Sequence, residues 1–194
     1  MPPKVKITIE MVIDAAFDIV RTEGADRITA RRISERLSCS TQPVLYHFAS
    51  IEEIKRTVYQ KADEYHTKYV MNMDKLDSNP MRTIGLNYIR FSREESHLFR
   101  FLFQSNEFSG VSTLDLIDSE ELGPIMSIVT QELKVSLSEA KEIFSTLFVF
   151  VHGYASLYAN NSLLYDEKSI IKSMERVFFR VVSVVKEGEN EETI

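Results

Sequence analysis

The sequence lacks several features that are typical of secreted proteins and membrane proteins. Cys39 is the only cysteine among 194 residues, which excludes an intrachain disulfide and argues against a cysteine-based zinc site. No uninterrupted apolar run reaches the about 18 residues that a membrane helix requires. The N-terminal stretch MPPKVKITIE has no apolar core of the kind found in signal peptides. We therefore expect a cytoplasmic protein without a membrane-spanning segment.

Motifs that carry catalytic or cofactor chemistry are also missing. The sequence contains no nucleophile arranged with a base, no Gly-rich phosphate loop and no Cys-His cluster. His152 lies in the apolar run FVFVHGYASLY, where a core or interface histidine is more common than a ligand. We therefore expect neither an enzyme nor a bound metal or cofactor.

Charge is unevenly distributed along the chain. The net charge is −6, and the composition of 44% apolar and 27% charged residues is ordinary for a globular protein. Residues 1–56 contain nine Lys or Arg against eight Asp or Glu, a net charge of +1, whereas residues 57–194 carry −7. Such a mildly basic N-terminal part suits an intermittent DNA binder. Its cations are Lys4, Lys6, Arg21, Arg27, Arg31, Arg32, Arg36, Lys55 and Arg56.

Residues 29–54, TARRISERLSCSTQPVLYHFASIEEI, have the pattern of a helix-turn-helix. In the first helix Ile33 and Leu37 share one face, and arginines occupy the other. A polar break at residues 38–40 follows. A second helix is predicted at about residues 41–47, with Ser40 as its N-cap and Pro43 in its first turn.

This stretch resembles the DNA-binding segment of the TetR family of transcription repressors. The resemblance rests on Thr29 at the helix start, on Tyr46-His47-Phe48, and on the Ser50-Ile51-Glu52-Glu53-Ile54 helix start, and it covers roughly the first 55 to 60 residues. It implies a regulator that acts as a homodimer on a palindromic operator of double-stranded DNA. It also implies a small effector, largely apolar here, that enters the body of the protein and releases the DNA.

Three residues depart from the pattern of that family. Ser38 replaces the usual glycine of the turn, and we expect it either to adopt a left-handed or near-bridge conformation or to shift the turn slightly. Leu45 replaces a tyrosine, and we expect its side chain to pack. Ile51 replaces a lysine, which removes a candidate phosphate contact, although Lys55 lies one turn further on.

The candidate DNA-binding residues follow from the pattern and its resemblance. We expect base-edge contacts from the start of the second helix, and phosphate contacts from hydroxyl, imidazole and cationic groups around it. The base-contact candidates are Thr41, Gln42 and Pro43. The phosphate-contact candidates are Thr29, Arg31, Arg32, Ser40, Tyr46, His47 and Lys55.

Helical periodicity extends over almost the whole chain and predicts an all-α protein of about nine helices. We expect a DNA-binding head at residues 1–50, an effector-binding and dimerisation body at residues 51–188, and an acidic, disordered tail at residues 189–194. The first helix is expected to begin after Thr8 and end at Gly24. Further helices are predicted at residues 50–73, from Pro80, near 98–104, at 123–135, from the Ser136–Glu139 capping box to 160, and at 167–186, with a loop at 106–118.

The last two helices are apolar on more faces than a monomer can bury, which predicts a four-helix dimer interface. Burial inside one chain is the alternative. The predicted interface residues are Gly153, Ser156, Ala159, Met174, Val177, Phe178, Val181 and Val185.

Aromatic residues in the body suggest an effector cavity, although ordinary core packing is the alternative for each of them. The predicted lining residues are Tyr65, Tyr69, Tyr88, Phe91, Phe99, Phe103, Phe108, Met126, Phe148, Tyr154 and Tyr158.

Two further functions remain open from the sequence. Glu94 with His97, and Asp63 with His66, have the i, i+3 spacing of a metal-binding helical bundle. A helical interaction protein that has lost DNA binding is the other alternative, and the departures at residues 38, 45 and 51 are its only support.

Overall fold

The computed structural model describes residues 7–73, 79–105 and 122–191. These residues form nine α-helices and contain no β-strand, which confirms the predicted all-α fold. None of the described helices is long and apolar enough to cross a membrane. The helices are α1 (Ile9–Glu23), α2 (Ala30–Arg36), α3 (Thr41–His47), α4 (Ile51–Val70), α5 (Pro80–Glu94), α6 (Ser96–Phe103), α7 (Gly123–Leu133), α8 (Leu137–Asn160) and α9 (Glu167–Glu191), and a 3₁₀ turn at Ala25–Arg27 follows α1.

The chain divides into two compact units, each described by itself below. Within the described residues, unit 1 comprises 7–68 and 94–105, and unit 2 comprises 69–73, 79–93 and 122–191. Unit 1 therefore contains α1, α2, α3, most of α4, and α6. The predicted boundary at residue 50 divides the chain by function, and it stays a prediction.

Helix α1 begins and ends where the sequence predicted. The Thr8 hydroxyl accepts a hydrogen bond from the Met11 amide at 3.3 Å. Gly24 ends the helix with φ 97°, and a Cβ atom there would lie 3.2 Å from Nδ1 of His97, so conformation and space both favour glycine. Helix α1 packs against α6 and α2. Fully buried residues of α1 and α6 are Val12, Ala16, Ile19, Val20, Leu98, Phe99 and Leu102.

A buried carboxylate joins three helices of unit 1. Glu95, at the N-cap position of α6, is 7% exposed. Nε of Arg21 on α1 donates to its two oxygens at 3.0 and 2.8 Å, and the Tyr65 hydroxyl on α4 donates to it at 3.1 Å. Hydrogen bonding to Glu95 raises the pKa of Arg21, so the guanidinium stays charged. The cluster therefore fixes α1, α4 and α6 relative to one another.

Unit 2 has its own apolar core between α7 and α8, which pack on each other. Helix α8 starts with the predicted capping box: the Ser136 hydroxyl accepts from the Glu139 amide at 3.3 Å, and the Glu139 carboxylate accepts from the Ser136 amide at 2.7 Å. The buried residues of this core are Met126, Val129, Ala140 and Phe144, with Met81, Leu122, Ile125, Leu133, Val135 and Phe148 packed against them.

Polar contacts connect the other helices of unit 2. The buried side-chain amide of Asn87 on α5 donates to the carbonyl oxygens of Val70 and Asn72, at 3.2 and 2.9 Å. Arg90 donates to both oxygens of Glu167 on α9, at 3.0 and 2.6 Å. Helix α5 is thereby held to the end of α4 and to the start of α9.

Two helix ends differ from the sequence prediction. Helix α4 ends at Val70, three residues before the predicted end at residue 73. Helix α9 continues to Glu191, so residues 189–191 are helical and the expectation of a disordered tail is wrong for them. A glycine costs about 1 kcal/mol in a helix interior, and Gly188 therefore weakens the helix without ending it. The predicted loop at residues 106–118 lies outside the described residues.

Two non-glycine residues of the described chain have positive φ angles. Ser38, in the turn between α2 and α3, has φ 52°, which confirms the expected left-handed conformation. Lys134, at the C-cap of α7, has φ 54°. Both residues carry a Cβ atom in a region that favours glycine, so each strains the folded state.

Replacing Ser38 with glycine should stabilise the protein. Glycine removes the steric cost of the left-handed conformation in the folded state, but it also raises the conformational entropy of the unfolded chain. Because the first effect is larger, we expect the free energy of unfolding to rise by about 0.5–1 kcal/mol. Urea denaturation followed by circular dichroism measures it. Lys134→Gly is the matched control in unit 2 and should give a similar gain. A loss of stability in Ser38→Gly would show that the serine hydroxyl, and not the backbone conformation, decides the energetics of this turn.

Candidate nucleic-acid interface

Helices α2 and α3 are joined by residues 37–40 and pack against each other. The Thr29 hydroxyl caps α2 by accepting a hydrogen bond from the Arg32 amide at 3.1 Å. Ile33 is the fully buried residue of α2, and the amide of Cys39 donates to the carbonyl of Ser34 at 3.0 Å. Helix α3 spans Thr41–His47, as predicted. These contacts hold the short α3 helix, which at seven residues would not be stable alone.

Helix α3 has one buried and one exposed side. Val44 is fully buried and His47 is half-buried, whereas Thr41 and Gln42 are exposed. The expectation that Leu45 packs is wrong, because its side chain is 53% exposed. Val44 occupies the inward position of this helical turn, and the next residue is therefore rotated outward by about 100°.

The start of α3 also differs from the prediction. Ser40 occupies the N-cap position with extended backbone angles, but its side chain makes no capping hydrogen bond. The predicted cap is therefore wrong as a hydrogen bond, although the position is correct. Because Ser40 is exposed, its hydroxyl lies at the surface beside the exposed residues of α3.

His47 and Tyr46, at the end of α3, have different surroundings. Nε2 of His47 lies 2.9 Å from the carbonyl oxygen of Ile7, and since a carbonyl only accepts, the ring nitrogen is the donor. This bond fixes the chain that precedes α1. Tyr46 is 84% exposed, and its ring meets the His47 ring edge-on at 5.4 Å between centroids. Tyr46 is thus open to a ligand, and one nitrogen of His47 is already used.

The arginines of α2 form an ion-pair network that the sequence did not reveal. The Glu23 carboxylate accepts from Nη2 of Arg32 at 2.8 Å and from Nη2 of Arg36 at 2.9 Å. Nε of Arg31 donates to Glu35 at 2.9 Å. Hydrogen bonds from Arg32 hold the pKa of Glu23 below its ordinary value. Ion pairs at the protein surface are weak, so these arginines can exchange their carboxylate partners for another anion.

Helix α4 begins with a variant of the predicted capping box. The Ser50 hydroxyl accepts from the Glu53 amide at 3.1 Å. The Glu53 carboxylate accepts from the amide of Ala49 at 2.7 Å, one residue before the expected partner. Lys55 is half-buried on the second turn of α4. The predicted DNA-binding residues that are described all belong to unit 1.

The predicted effector-lining residues are distributed over both units. In unit 1 Phe99 is fully buried, and its ring centroid lies 5.1 Å from that of Phe103. In unit 2 the Tyr88 hydroxyl lies 2.9 Å from Nδ1 of His152, and burial raises the pKa of Tyr88. Phe108 lies outside the described residues. Unit 1 also contains Tyr65, and unit 2 also contains Tyr69, Phe91, Met126, Phe148, Tyr154 and Tyr158.

The predicted dimer residues on α8 and α9 differ in exposure. Ala159, Met174 and Val185 are buried within the chain, at 4%, 8% and 9% exposure. Gly153 is exposed, and a Cβ atom placed on it would meet no atom within 4 Å. Ser156, Val177, Phe178 and Val181 are half-buried. Sequence reasoning missed five exposed large apolar residues of these helices, Leu137, Val149, Leu157, Phe179 and Val184.

The histidines of the alternative metal site have other surroundings. His66 meets the ring of Phe103 edge-on at 5.0 Å, and burial lowers its pKa to about 4. Nδ1 of His97 lies 3.0 Å from Nη2 of Arg100, a cation. Within the described part of the chain, no three residues of the metal-binding types are grouped so as to hold an ion.

No protein-family model matches this chain, and no curated protein is similar to it in sequence.

Burial of His66 predicts a loss of stability in acid. In the unfolded chain His66 takes up a proton near pH 6.5, whereas in the folded protein its pKa is about 4. The free energy of unfolding therefore keeps its full value above pH 6.5 and falls as the pH is lowered from 6.5 to 4. At pH 5 the loss amounts to about 2 kcal/mol. Urea unfolding at pH 7.5 and pH 5 measures it, and His66→Phe should lose correspondingly less. Equal pH dependence in both proteins would contradict the buried, neutral state.

Proposed function

We propose that the chain is a DNA-binding transcriptional regulator of the TetR type, most simply a repressor that acts as a homodimer. The observation that carries the proposal is the exposed side of α3, where Thr41, Gln42 and Tyr46 lie at the surface. Gln42 can donate to and accept from an adenine edge in the major groove. A solvent-exposed helix with such groups, held on a second helix by buried residues, suits docking into that groove.

The groups around α3 supply candidates for phosphate binding. Arg31 is 86% exposed at its side chain, and Arg32 and Arg36 are already oriented by Glu23. An arginine that is held in place loses less side-chain entropy when a phosphate replaces its carboxylate partner. The remaining candidates for phosphate contact are Thr29, Ser40, Tyr46, His47 and Lys55, of which His47 has one nitrogen bonded to Ile7.

The proposed dimer uses an exposed apolar line on α8. Val149, Gly153 and Leu157 are spaced four residues apart and are all exposed, Val149 at 60% and Leu157 at 51%. Residues at this spacing share one helical face. A glycine with open space above it permits another helix to approach closely. A twofold dimer would present two α3 helices to DNA and would favour an inverted repeat.

The proposed effector is a small, largely apolar molecule that binds in the body and favours the state released from DNA. Its support is the aromatic content of unit 2, where Tyr88, Phe148 and His152 lie close together. Release requires that the effector bind the DNA-free state more tightly than the DNA-bound state.

Selection from a random pool of DNA duplexes should enrich an inverted repeat. With the enriched duplex, Gln42→Ala should weaken binding by about tenfold and relax the preference at one position of each half-site, because a base contact carries sequence information. Tyr46→Ala should weaken binding to all sequences alike, since its predicted contact is with phosphate. Fluorescence anisotropy measures both variants. Failure to enrich any repeat would overturn the proposed function.

Replacing Gly153 with arginine should dissociate the dimer and leave the monomer folded. The open space at this position accepts the side chain within one chain, whereas a closely packed second helix would not. We expect the dimer dissociation constant to rise at least about tenfold, with helicity retained in circular dichroism because arginine has a higher helix propensity than glycine. Analytical ultracentrifugation measures the association. Gly123→Arg, at an equally open position of α7, is the matched control and should stay dimeric. A dimeric Gly153→Arg would place the interface elsewhere.

A further inference from the structure

The exposed leucine on α3 has no role in the packing of the helix. Leu45 keeps 53% of its surface exposed, whereas the adjacent Val44 is fully buried. Burial of apolar surface stabilises a fold, whereas an aliphatic side chain that stays in contact with water does not. The packing of unit 1 therefore does not explain the leucine at this position.

The direction of Leu45 relates it to the proposed base-reading side chain. Residues three apart on a helix share a face, so Leu45 lies beside Gln42, and both are exposed. Val44 and His47, also three apart, form the inward side. If Gln42 faces the base edges, Leu45 faces them as well.

The surroundings of α3 favour nucleic acid as the occupant of this face. Helix α2, which packs on α3, carries Arg31 with a side-chain exposure of 86% and Arg36 with 34%. Cations on this neighbouring helix complement a phosphate backbone. An aliphatic side chain can neither donate nor accept a hydrogen bond, which excludes specific contact with phosphate oxygens or with the polar edge of guanine or adenine. The one apolar group on base edges in the major groove is the 5-methyl group of thymine.

We propose that Leu45 recognises a thymine by contact with its 5-methyl group and so makes each operator half-site specific for thymine at one position. This inference rests on the proposed function. Leu45 discriminates thymine from cytosine and from uracil by the burial of one methyl group. Gln42 reads an adjacent base pair by hydrogen bonding, and the two residues together define neighbouring positions of the half-site.

The test removes the methyl group from the DNA and the leucine from the protein. In the enriched operator, each thymine is replaced in turn by deoxyuridine, which lacks only the methyl group. At one position per half-site the wild-type protein should lose about fourfold in affinity, and about 15-fold when both half-sites are changed. Binding is measured by fluorescence anisotropy at fixed salt.

Two variants separate recognition from stability. Leu45→Ala should bind the thymine and deoxyuridine duplexes equally, and circular dichroism should show unchanged helicity because the side chain is exposed. Leu45→Met keeps an apolar side chain of similar volume and should retain the preference for the methylated base. At the same position, wild-type protein should bind 5-methylcytosine more tightly than cytosine, and Leu45→Ala should not.

The outcomes distinguish this inference from the proposed function. If an operator is enriched but the wild-type protein binds it equally with thymine or deoxyuridine at every position, recognition of the methyl group is contradicted and the proposed function stands. Persistence of the deoxyuridine effect in Leu45→Ala also contradicts recognition of the methyl group by Leu45, since another residue then contacts the methyl. Absence of any enriched operator overturns the proposed function, and this inference with it.

Discussion

The buried carboxylate of Glu95 is the constraint on which the arrangement of unit 1 depends. A charge at 7% exposure is stable only when donors surround it, and here the donors come from α1 and α4. Glu95 itself precedes α6. The need of one buried carboxylate for hydrogen-bond donors therefore positions three helices relative to one another. The contact of α1 with α6 buries apolar side chains, and the ion pair between Arg21 and Glu95 fixes the relative position of the two helices.

The exposed chemistry of α2 and α3 is built on this framework. Helix α1 supports α2, and α2 supports α3, so the seven residues of α3 derive their order from the packing of earlier helices. Glu23, at the end of α1, also orients two arginines of α2. The same helix thus determines the position of the proposed base-reading side and the conformation of the cations beside it.

Local signals in the sequence predicted the fold well, whereas side-chain partners depended on packing that no local pattern encodes. Thr8, Gly24 and Ser136 mark helix ends because capping involves residues only three or four positions apart. The pairing of Arg32 with Glu23 spans nine residues and a 3₁₀ turn, so no helical period indicates it. Leucine is usually buried, so packing is the expected role of Leu45, but few side chains of a seven-residue helix can face inward. His47 found a main-chain acceptor forty positions away in the sequence.

Unit 1 is built from two separate segments of the chain, which limits how its helices can be exchanged between related proteins by recombination. Because α6 belongs to the same compact unit as α1, α2 and α3, the helices that carry the proposed DNA contacts are not a contiguous module. Recombination at a single point after residue 50 would join α1 to a foreign α6 and leave Arg21 without its carboxylate partner. A viable chimera needs two crossover points, or an incoming α6 that carries a matching acidic residue. Modularity in this chain therefore follows tertiary contacts and not the order of the sequence.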